Sequence, residues 1–421
     1  MRNKSGGQRV LIVGGGAAGM LCAIFAARSG AEVSLFEKNE KLGKKLFITG
    51  KGRCNLTNRT DIRDFFDYIM RNKSFLYSSL YGFSNEDVCD FFEELGLRIK
   101  TERGNRVFPE SDHSYDVIDV LKRELKRQQV SVYINTEVKS LLFDGDVCNG
   151  LETADGRKFA GEALIIATGG LSYPSTGSTG DGYRFAKEAG HHVTSLTPSL
   201  VPMRVREEFV SDLMGLSLKN TGLRITDGKE EVYRDFGEML FTHFGVSGPM
   251  ILSASANIDA KRFSHDLRLH LDLKPALDNH KLDQRILRDL DEAGAKQVKN
   301  GLKGLLPATL FPIILELAGI DGDKRCAEMS REERESLIRS IKDFSLTIKS
   351  LCGFEEAVIT RGGVDVREVD PGTMESKKKK NLYFIGEVLD VDALTGGFNL
   401  QIAWSTAAQA GRAVGQNGGM S

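Results

Sequence analysis

Residues 10–37 read VLIVGGGAAGMLCAIFAARSGAEVSLFE, and they have the order of a nucleotide-binding unit. Val10–Val13 is a short apolar run, which is typical of a buried parallel strand. The next six residues, Gly14–Gly19, fit the pattern GxGxxG, and the pattern after them predicts a helix over Met20–Ala27. A second strand is predicted for Glu32–Phe36. The segment therefore predicts the first strand–helix–strand unit of a Rossmann-like α/β fold.

The glycines and the terminal acid of this segment have distinct tasks in dinucleotide binding. Gly14 permits a tight turn, Gly16 lets backbone N–H groups approach a pyrophosphate, and Gly19 allows the helix to pack closely on the strand. Glu37 lies 18 residues after Gly19, where a carboxylate hydrogen-bonds the ribose hydroxyls of adenosine. A carboxylate there repels a 2′-phosphate, which disfavours NADP at this site. This half-motif does not separate FAD from NAD.

Composition and charge limit the possible function classes. The chain has 421 residues, of which 41% are hydrophobic and 27% charged, as expected for a globular protein of two or three domains. Its formal net charge of −1 supplies no overall positive field, so we expect no nucleic-acid partner. The six cysteines lack CxxC spacing, which predicts no metal site and suits a reducing cytoplasm. No apolar run reaches the ~18–20 residues of a membrane span, so we expect a cytoplasmic protein without membrane contact.

Two further apolar strands favour FAD. Ala163–Gly170 reads ALIIATGG, and Asn381–Glu387 reads NLYFIGE. A strand that ends in Gly-acid beside the first nucleotide loop can place its carboxylate on a hydroxyl of the ribityl chain of a flavin. After Thr395–Gly397, a helix is predicted from about Phe398 to Val414. Its N-terminus would point at the flavin N1/C2=O edge, where negative charge accumulates on reduction.

The combination of these motifs resembles the glutathione-reductase-like FAD-binding fold. That family usually has Gly-Asp in its last motif, whereas this chain has Gly386 and Glu387, followed by Asp390. The ribityl ligand therefore departs from the usual pattern of the family.

Longer segments narrow the resemblance. They are KLGKKLFITGKGRCNLTN at Lys41–Asn58, LFTHFGVSGP at Leu240–Pro249, TRGGVDVREVDPGTMESK at Thr360–Lys377 and GEVLDVDALTGGFNLQIAWSTA from Gly386. Together they are similar to the BaiN/aminoacetone-oxidase-like family of NAD(P)/FAD-dependent oxidoreductases, over nearly the whole chain.

The resemblance implies a non-covalently bound FAD and hydride transfer through flavin N5. The positions expected to contact FAD are Gly14, Gly16, Ala17, Ala18, Gly19, Glu37, Lys38, Lys44, Lys45, Gly52, Arg53, Cys54, Asn55, Val138, Ala167, Thr168, Gly169, Gly386, Glu387, Asp392, Gly397, Phe398, Asn399 and Leu400.

If the GxGxxG and Gly-Glu strands share one sheet, the residues between them must include an insertion. We expect a Rossmann-like FAD-binding domain made of residues 1–192 and 356–421, an inserted β-rich substrate domain at 193–275 and a helical subdomain at 276–355. Within the last of these, Ser330 and Glu333 predict a capping box at a helix start. The substrate is expected between the flavin ring and the inserted domain.

The flavin would supply the redox chemistry, so the protein must orient substrate and handle protons. His243, Arg361 and Tyr173 are the candidate catalytic residues, each against the alternative of an ordinary structural role. Cys54 has no nearby cysteine, which disfavours a thiol–disulfide relay. It is either a thiol of low pKa beside Arg53 or, as we favour, a small buried residue.

The sequence leaves three functions open. We favour an NAD(P)H-driven reductase of a conjugated C=C bond in a 3-oxo bile-acid or steroid-like small molecule. An amine oxidase that uses O₂ is the alternative, and a non-enzymatic flavoprotein, such as a redox sensor or accessory protein, is the third class. No second GxGxxG follows a strand, so any NAD(P)H would bind transiently. The sequence does not predict the oligomeric state.

Overall fold

The computed structural model describes residues 7–258 and 260–416. It divides the chain into two compact units, and the second interrupts the first. The chain up to Ser199 and from Phe354 onward forms the first unit, and Leu200–Gly353 forms the inserted unit. The insertion was expected at residues 193–355, and the inserted unit spans residues 200–353.

Along the described residues the strands are β1 Arg9–Val13, β2 Glu32–Phe36, β3 Thr57–Asn58, β4 Ile99–Glu102, β5 Arg106–Pro109, β6 Ser131–Tyr133, β7 Val138–Asp144, β8 Val147–Thr153, β9 Lys158–Ala160, β10 Ala163–Ile166, β11 Thr197–Ser199, β12 Met203–Val205, β13 Ser217–Asp227, β14 Glu230–Thr242, β15 Gly245–Ser247, β16 Leu267–Asp272, β17 Phe344–Leu351, β18 Ile359–Arg361 and β19 Leu382–Phe384. The α-helices are α1 Ala17–Arg28, α2 Lys44–Ile48, α3 Ile62–Phe65, α4 Tyr77–Gly82, α5 Asn85–Glu94, α6 Ser114–Arg127, α7 Asp181–Glu188, α8 Pro249–Asn257, α9 Asn279–Ala293, α10 Val298–Gly301, α11 Phe311–Leu317, α12 Arg331–Lys342 and α13 Phe398–Gln416.

A parallel sheet forms the centre of the first unit. Its strand order is β19-β10-β1-β2-β6, and every neighbouring pair is parallel. Strand β10 is buried along its whole length, as expected for an apolar run covered on both faces. The predicted Rossmann-like sheet, completed by a strand from the C-terminal part of the chain, is confirmed. The first unit also contains smaller sheets of order β3-β5-β4, β7-β8-β9 and β11-β18.

The inserted unit contains a closed barrel of order β12-β15-β14-β13-β16-β17. Helices α9 to α12 lie between β16 and β17 in the chain. A helical subdomain was expected up to residue 355, and this expectation is wrong for β17, Phe344–Leu351. That segment is a strand that closes the barrel by pairing with β16 and β12. Buried and exposed residues alternate at the start of β17, which is the period-two pattern of a half-buried strand.

The two ends of the inserted unit lie side by side. The backbone N–H of Cys352 donates to the carbonyl of Pro202 at 3.0 Å, and Met203 pairs with Leu351. The chain therefore enters and leaves this unit at one place.

The predicted capping box is confirmed at the start of α12. The Ser330 hydroxyl accepts from the Glu333 N–H, and the Glu333 carboxylate accepts from the Ser330 N–H. None of the helices in the described ranges is long and apolar enough to cross a membrane.

Candidate functional site

The loops that follow β1, β2, β10 and β19 meet at one edge of the central sheet. These strands are parallel neighbours, so their carboxyl ends point in the same direction. Open parallel sheets bind ligands at this edge. The glycine loop, Glu37, Ala167–Gly169 and Gly386-Glu387 are brought together there.

The glycine loop joins β1 to α1 through a turn that depends on its glycines. Gly14 has φ of 107°, and a Cβ there would lie 2.5 Å from the carbonyl oxygen of Ala167. A Cβ on Gly19 would collide with the carbonyl oxygen of Gly14, so this glycine permits the close contact of helix and loop. A Cβ on Gly16 would meet no atom within 4 Å. The loop is therefore tightly packed on one side and open at Gly16.

Helix α1 presents its N-terminus at this open side. No side chain caps the helix, and its first turn, which begins with Ala17 and Ala18, has no acidic residue. The first N–H groups of a helix have no partner within the helix, and they bind anions well. The N-terminus of α1 therefore has the donors that a pyrophosphate needs.

Glu37 is fixed beside the glycine loop. It is 7% exposed, and its Oε2 accepts from the Gly15 N–H at 2.8 Å. Its Oε1 accepts from the backbone N–H and the side-chain Nδ2 of Asn39, at 2.8 and 2.6 Å. These bonds orient the carboxylate at the end of β2, where it would meet the adenosine ribose.

Three lysines near the loop each contact a carboxylate. Lys38 lies 2.6 Å from Asp181, and Lys44 lies 2.9 Å from Glu40. Lys45 lies 2.6 Å from Glu387, across 342 residues of sequence.

Glu387 is the centre of a polar cluster that the sequence does not reveal. Its Oε2 contacts Lys45, and its Oε1 accepts from the Ser172 hydroxyl at 2.5 Å and the Thr360 N–H at 2.9 Å. The Lys45 ammonium also donates to Ser172, and the Thr360 hydroxyl accepts from the N–H groups of Leu171 and Ser172. Both carboxylate oxygens of Glu387 thus have protein partners.

Asp392 forms an ion pair with Arg361, one of the catalytic candidates. Asp392 is fully buried, and its Oδ2 lies 3.2 Å from Arg361 Nε. Burial raises the pKa of the Asp392 carboxyl, against the lowering effect of Arg361. The neighbouring Asp390, 3% exposed, contacts Arg71 at 3.0 Å. Each of these two buried carboxylates is therefore paired with one arginine.

Residues 52–55 include an arginine held by two carboxylates and a fully buried thiol. Arg53 contacts Glu102 and Asp112, both at 2.5 Å, and its guanidinium lies over the Phe108 ring. Cys54 is fully buried, and burial raises the pKa of its thiol to about 12. Desolvation outweighs the lowering effect of a hydrogen bond with Thr49, which favours the small buried residue over a reactive thiol of low pKa. Gly52 has positive φ, and Asn55 Oδ1 is buried without a hydrogen-bond partner among the described residues.

The start of α13 is tied to neighbouring segments. A Cβ on Gly397 would collide with the backbone of Thr57, and Phe398 stacks on Tyr68 with ring centroids 4.2 Å apart. The Asn399 amide bonds both backbone groups of Ala393. These contacts fix the first turn of α13, which includes Leu400.

The remaining expected FAD contacts fall on three parts of the first unit. Ala167, Thr168 and Gly169 follow β10, and the buried Thr168 hydroxyl has no hydrogen-bond partner among the described residues. The Gly386 N–H donates to the Thr406 hydroxyl of α13. Val138 is the buried first residue of β7, two residues after Thr136, whose N–H donates to the Glu37 carbonyl.

The three catalytic candidates are not all in one unit. Arg361 ends β18, and Tyr173 lies half-buried in the segment after β10, both in the first unit. Burial and the charge of Glu356 raise the pKa of the Tyr173 phenol. His243 is exposed in the turn between β14 and β15 of the inserted unit, with its ring edge against Phe244.

Sequence reasoning missed Asn39, Ser172, Thr360 and Arg71. Ser172 adjoins the Tyr173 that was chosen, and Thr360 begins the TRGG segment that carried the resemblance. No sequence motif surrounds Asn39 or Arg71. Asn39 bonds Glu37 within a turn, and the partner of Arg71, Asp390, lies 319 residues away in the chain.

The geometry fits a dinucleotide cofactor. The open space at Gly16, the uncapped N-terminus of α1 and the buried carboxylate of Glu37 match a pyrophosphate and a ribose. Within the described residues, no group of three or more His, Cys, Asp and Glu side chains is placed to hold a metal ion.

Relatives of known sequence support this assignment. A family model described as the HI0933-like protein Rossmann domain matches residues 8–413. The chain is 34% identical over 413 residues to the 3-dehydro-bile acid delta(4,6)-reductase of Clostridium scindens. The matched region covers 97% of this chain and 99% of that protein. The chain is also 31% identical over 401 residues to the ribosomal RNA dihydrouridine synthase of Haemophilus influenzae, covering 94% of this chain and 96% of that protein.

Solved structures share the fold. The 3-ketosteroid-delta4-(5alpha)-dehydrogenase of Rhodococcus jostii matches with a TM-score of 0.54 and 13% identity, over 98% of both chains. E. coli quinol fumarate reductase matches with a TM-score of 0.53 and 16% identity, over 98% of this chain and 70% of that chain. The family model, together with the glycine loop and Glu37, shows that the chain belongs to the HI0933-like family. Within this family the protein is an oxidoreductase with an FAD-binding Rossmann fold.

Proposed function

We propose that this protein reduces a carbon–carbon double bond conjugated to a carbonyl in a 3-oxo bile-acid or steroid-like substrate. The observation that carries the proposal is the full-length similarity to a reductase named for delta(4,6) bonds of 3-dehydro-bile acids. Conjugation matters chemically, because the carbonyl accepts the negative charge that develops when hydride adds to the far carbon.

Bound FAD would supply hydride transfer through its N5 atom. The N–H groups at the start of α1 would bind its pyrophosphate, and Glu37 would accept from its adenosine ribose. The Lys45–Glu387–Ser172 cluster would orient the middle of the cofactor at the edge of β19.

Arg361 would bind the substrate carbonyl. Its side chain is 24% exposed, and Asp392 orients the guanidinium. A cation at the carbonyl oxygen stabilises the charge that develops there in the transition state. His243 and Tyr173 are the candidates that would supply the proton consumed at the second carbon.

The electron donor in this proposal is NAD(P)H. The chain has one GxGxxG loop, which the FAD would occupy, so the nicotinamide would bind only transiently.

A uridine in RNA is the second candidate substrate. Its support is the 31% identity to ribosomal RNA dihydrouridine synthases of Haemophilus influenzae and Escherichia coli. Dihydrouridine is uridine with its ring C=C bond reduced, and that bond is also conjugated to a carbonyl. We place this candidate second because a net charge of −1 gives little attraction for nucleic acid.

Anaerobic stopped-flow measurements test the proposal on the FAD-loaded protein. NAD(P)H is expected to bleach the flavin, and a 3-oxo-Δ4 bile acid is expected to restore its absorbance with formation of the saturated ketone. Restoration only by ribosomal RNA that lacks dihydrouridine would favour the second candidate. Rapid hydrogen peroxide formation with aminoacetone and O₂, without reduction of either unsaturated substrate, would overturn both.

Two substitutions separate flavin chemistry from thiol chemistry. Cys54→Ser is expected to retain most turnover, because Cys54 forms no disulfide and is buried with a raised pKa. His243→Ala is expected to keep its FAD and to lose about 10²–10⁴-fold in turnover if the imidazole transfers the proton. Flavin reduction and reoxidation are measured separately for both variants. Collapse of Cys54→Ser with an unchanged His243→Ala would point to thiol chemistry instead.

A further inference from the structure

Lys45 and Glu387 form an ion pair between distant parts of the chain. The Lys45 ammonium lies 2.6 Å from Glu387 Oε2, and it also donates to the Ser172 hydroxyl at 2.6 Å. The side chains of Lys45 and Glu387 are 22% and 13% exposed, and Ser172 is fully buried. An ammonium has three N–H donors, so one donor of Lys45 has no partner among the described residues. The ammonium is therefore held in place and still has a donor to offer.

The carboxylate of Glu387 has little capacity left for a further partner. Its Oε1 accepts from the Ser172 hydroxyl at 2.5 Å and from the Thr360 N–H at 2.9 Å, and its Oε2 accepts from Lys45. These bonds occupy three of the about four lone-pair sites of a carboxylate. The group that the pair presents to a ligand is therefore mainly the cation.

Both members of the pair belong to segments that border the glycine loop and α1. The N–H of Gly43, which directly precedes α2, donates to the Gly15 carbonyl at 2.9 Å, and Lys45 is the second residue of α2. On the other side, a Cβ on Gly386 would lie 3.0 Å from the Cβ of Ala18, in the first turn of α1. The ammonium thus joins a segment that contacts the glycine loop to one that contacts α1, where a pyrophosphate would bind.

We propose that the Lys45 ammonium binds the pyrophosphate of FAD, and that Glu387 is a positioning residue that holds this ammonium near the start of α1. The acid after the last strand of the sheet then acts through a cation, instead of binding the ribityl chain directly. Ser172 and Thr360 fix the acid. A lysine that is already held loses less conformational entropy when it binds an anion than a freely moving one. The inference rests on the FAD-binding fold and does not depend on the proposed substrate.

Lys41 provides a matched control for Lys45. It lies four residues earlier in the chain, its side chain is exposed, and its ammonium lies 5.9 Å from the centre of the Phe47 ring. Lys41→Met therefore removes the same charge from the same part of the chain, and it leaves the Lys45–Glu387 pair in place.

Titration of the full-length apoprotein with FAD and with ADP-ribose tests the proposal. ADP-ribose has the pyrophosphate of FAD but neither a ribityl chain nor a flavin ring. Lys45→Met is expected to lose about 10–100-fold in affinity for both ligands, the range of one hydrogen bond to a charged group. Lys41→Met should bind both as the wild type does. An unchanged FAD affinity in Lys45→Met, or a loss for FAD without a loss for ADP-ribose, would overturn the assignment to the pyrophosphate.

Glu387→Gln separates a positioning acid from a direct ligand. The amide oxygen can still accept from Ser172 and Thr360, and only the hold on Lys45 weakens, so this variant is expected to lose less FAD affinity than Lys45→Met. The double variant Lys45→Met/Glu387→Gln should lose as much as Lys45→Met alone, because the acid acts only through the cation. Additive losses, or a larger loss in Glu387→Gln than in Lys45→Met, would show that the carboxylate binds FAD directly.

The double variant also controls for folding. Lys45→Met leaves the Glu387 carboxylate without its cation, so thermal unfolding of each apoprotein is measured beside the titrations. In the double variant that charge is gone, and a loss of FAD affinity there cannot come from an unpaired carboxylate. Recovery of wild-type FAD affinity in the double variant would mean that Lys45 only neutralises Glu387, and it would overturn the proposal.

Discussion

Replacement of Gly16 by valine is expected to give a folded protein that does not bind FAD. A Cβ on Gly16 meets no protein atom within 4 Å, and its φ of −80° and ψ of −166° are open to any L-residue. The new side chain would instead fill the space in front of the first N–H groups of α1. A pyrophosphate kept from two such groups loses about 1.5–3 kcal/mol for each, which is at least 100-fold in affinity.

Titration of the apoprotein with FAD, together with thermal unfolding, measures both parts of this expectation. Gly19→Ala is the matched control, because its Cβ would collide with the carbonyl oxygen of Gly14 inside the fold. That variant should lose thermal stability, whereas Gly16→Val should unfold at the temperature of the wild-type apoprotein. Normal FAD affinity in Gly16→Val would mean that the pyrophosphate does not lie at α1.

Removal of the inserted unit is expected to separate FAD binding from turnover. Its ends are adjacent, since Cys352 donates to Pro202, so a short glycine-rich linker can join Ser199 to Phe354. The pairing of β11 with β18 lies wholly in the first unit and would remain. We expect this shortened chain to bind FAD and to lose turnover by at least about 10²-fold, because it lacks His243.

Flavin absorbance after gel filtration measures FAD retention, and NAD(P)H consumption with a 3-oxo-Δ4 bile acid measures turnover. The full-length His243→Ala variant is the comparison, since it removes the imidazole alone. A shortened chain that folds, by circular dichroism, but binds no FAD would show that the first unit does not bind the cofactor by itself. Undiminished turnover would exclude any role of the inserted unit in the reaction.

The elements found from sequence are those whose signal is local. The strand, glycine loop and helix up to Glu37 follow from periodicity and from glycine spacing within 28 consecutive residues. The capping box at Ser330 and Glu333 is local as well. By contrast, β17 was misassigned because its strand pattern follows a helical region and its partners lie far away in the chain.

The side-chain clusters of the site depended on tertiary structure. The pairs Lys45–Glu387, Arg71–Asp390 and Arg361–Asp392 join segments separated by 342, 319 and 31 residues. The raised pKa of the Cys54 thiol likewise results from burial, and the residues next to Cys54 in the sequence do not indicate that burial. The sequence by itself determined the cofactor-binding fold, because glycine conformation and strand periodicity are local properties. Only the tertiary structure decided which charges meet, because ion pairs and desolvation depend on distances between remote segments.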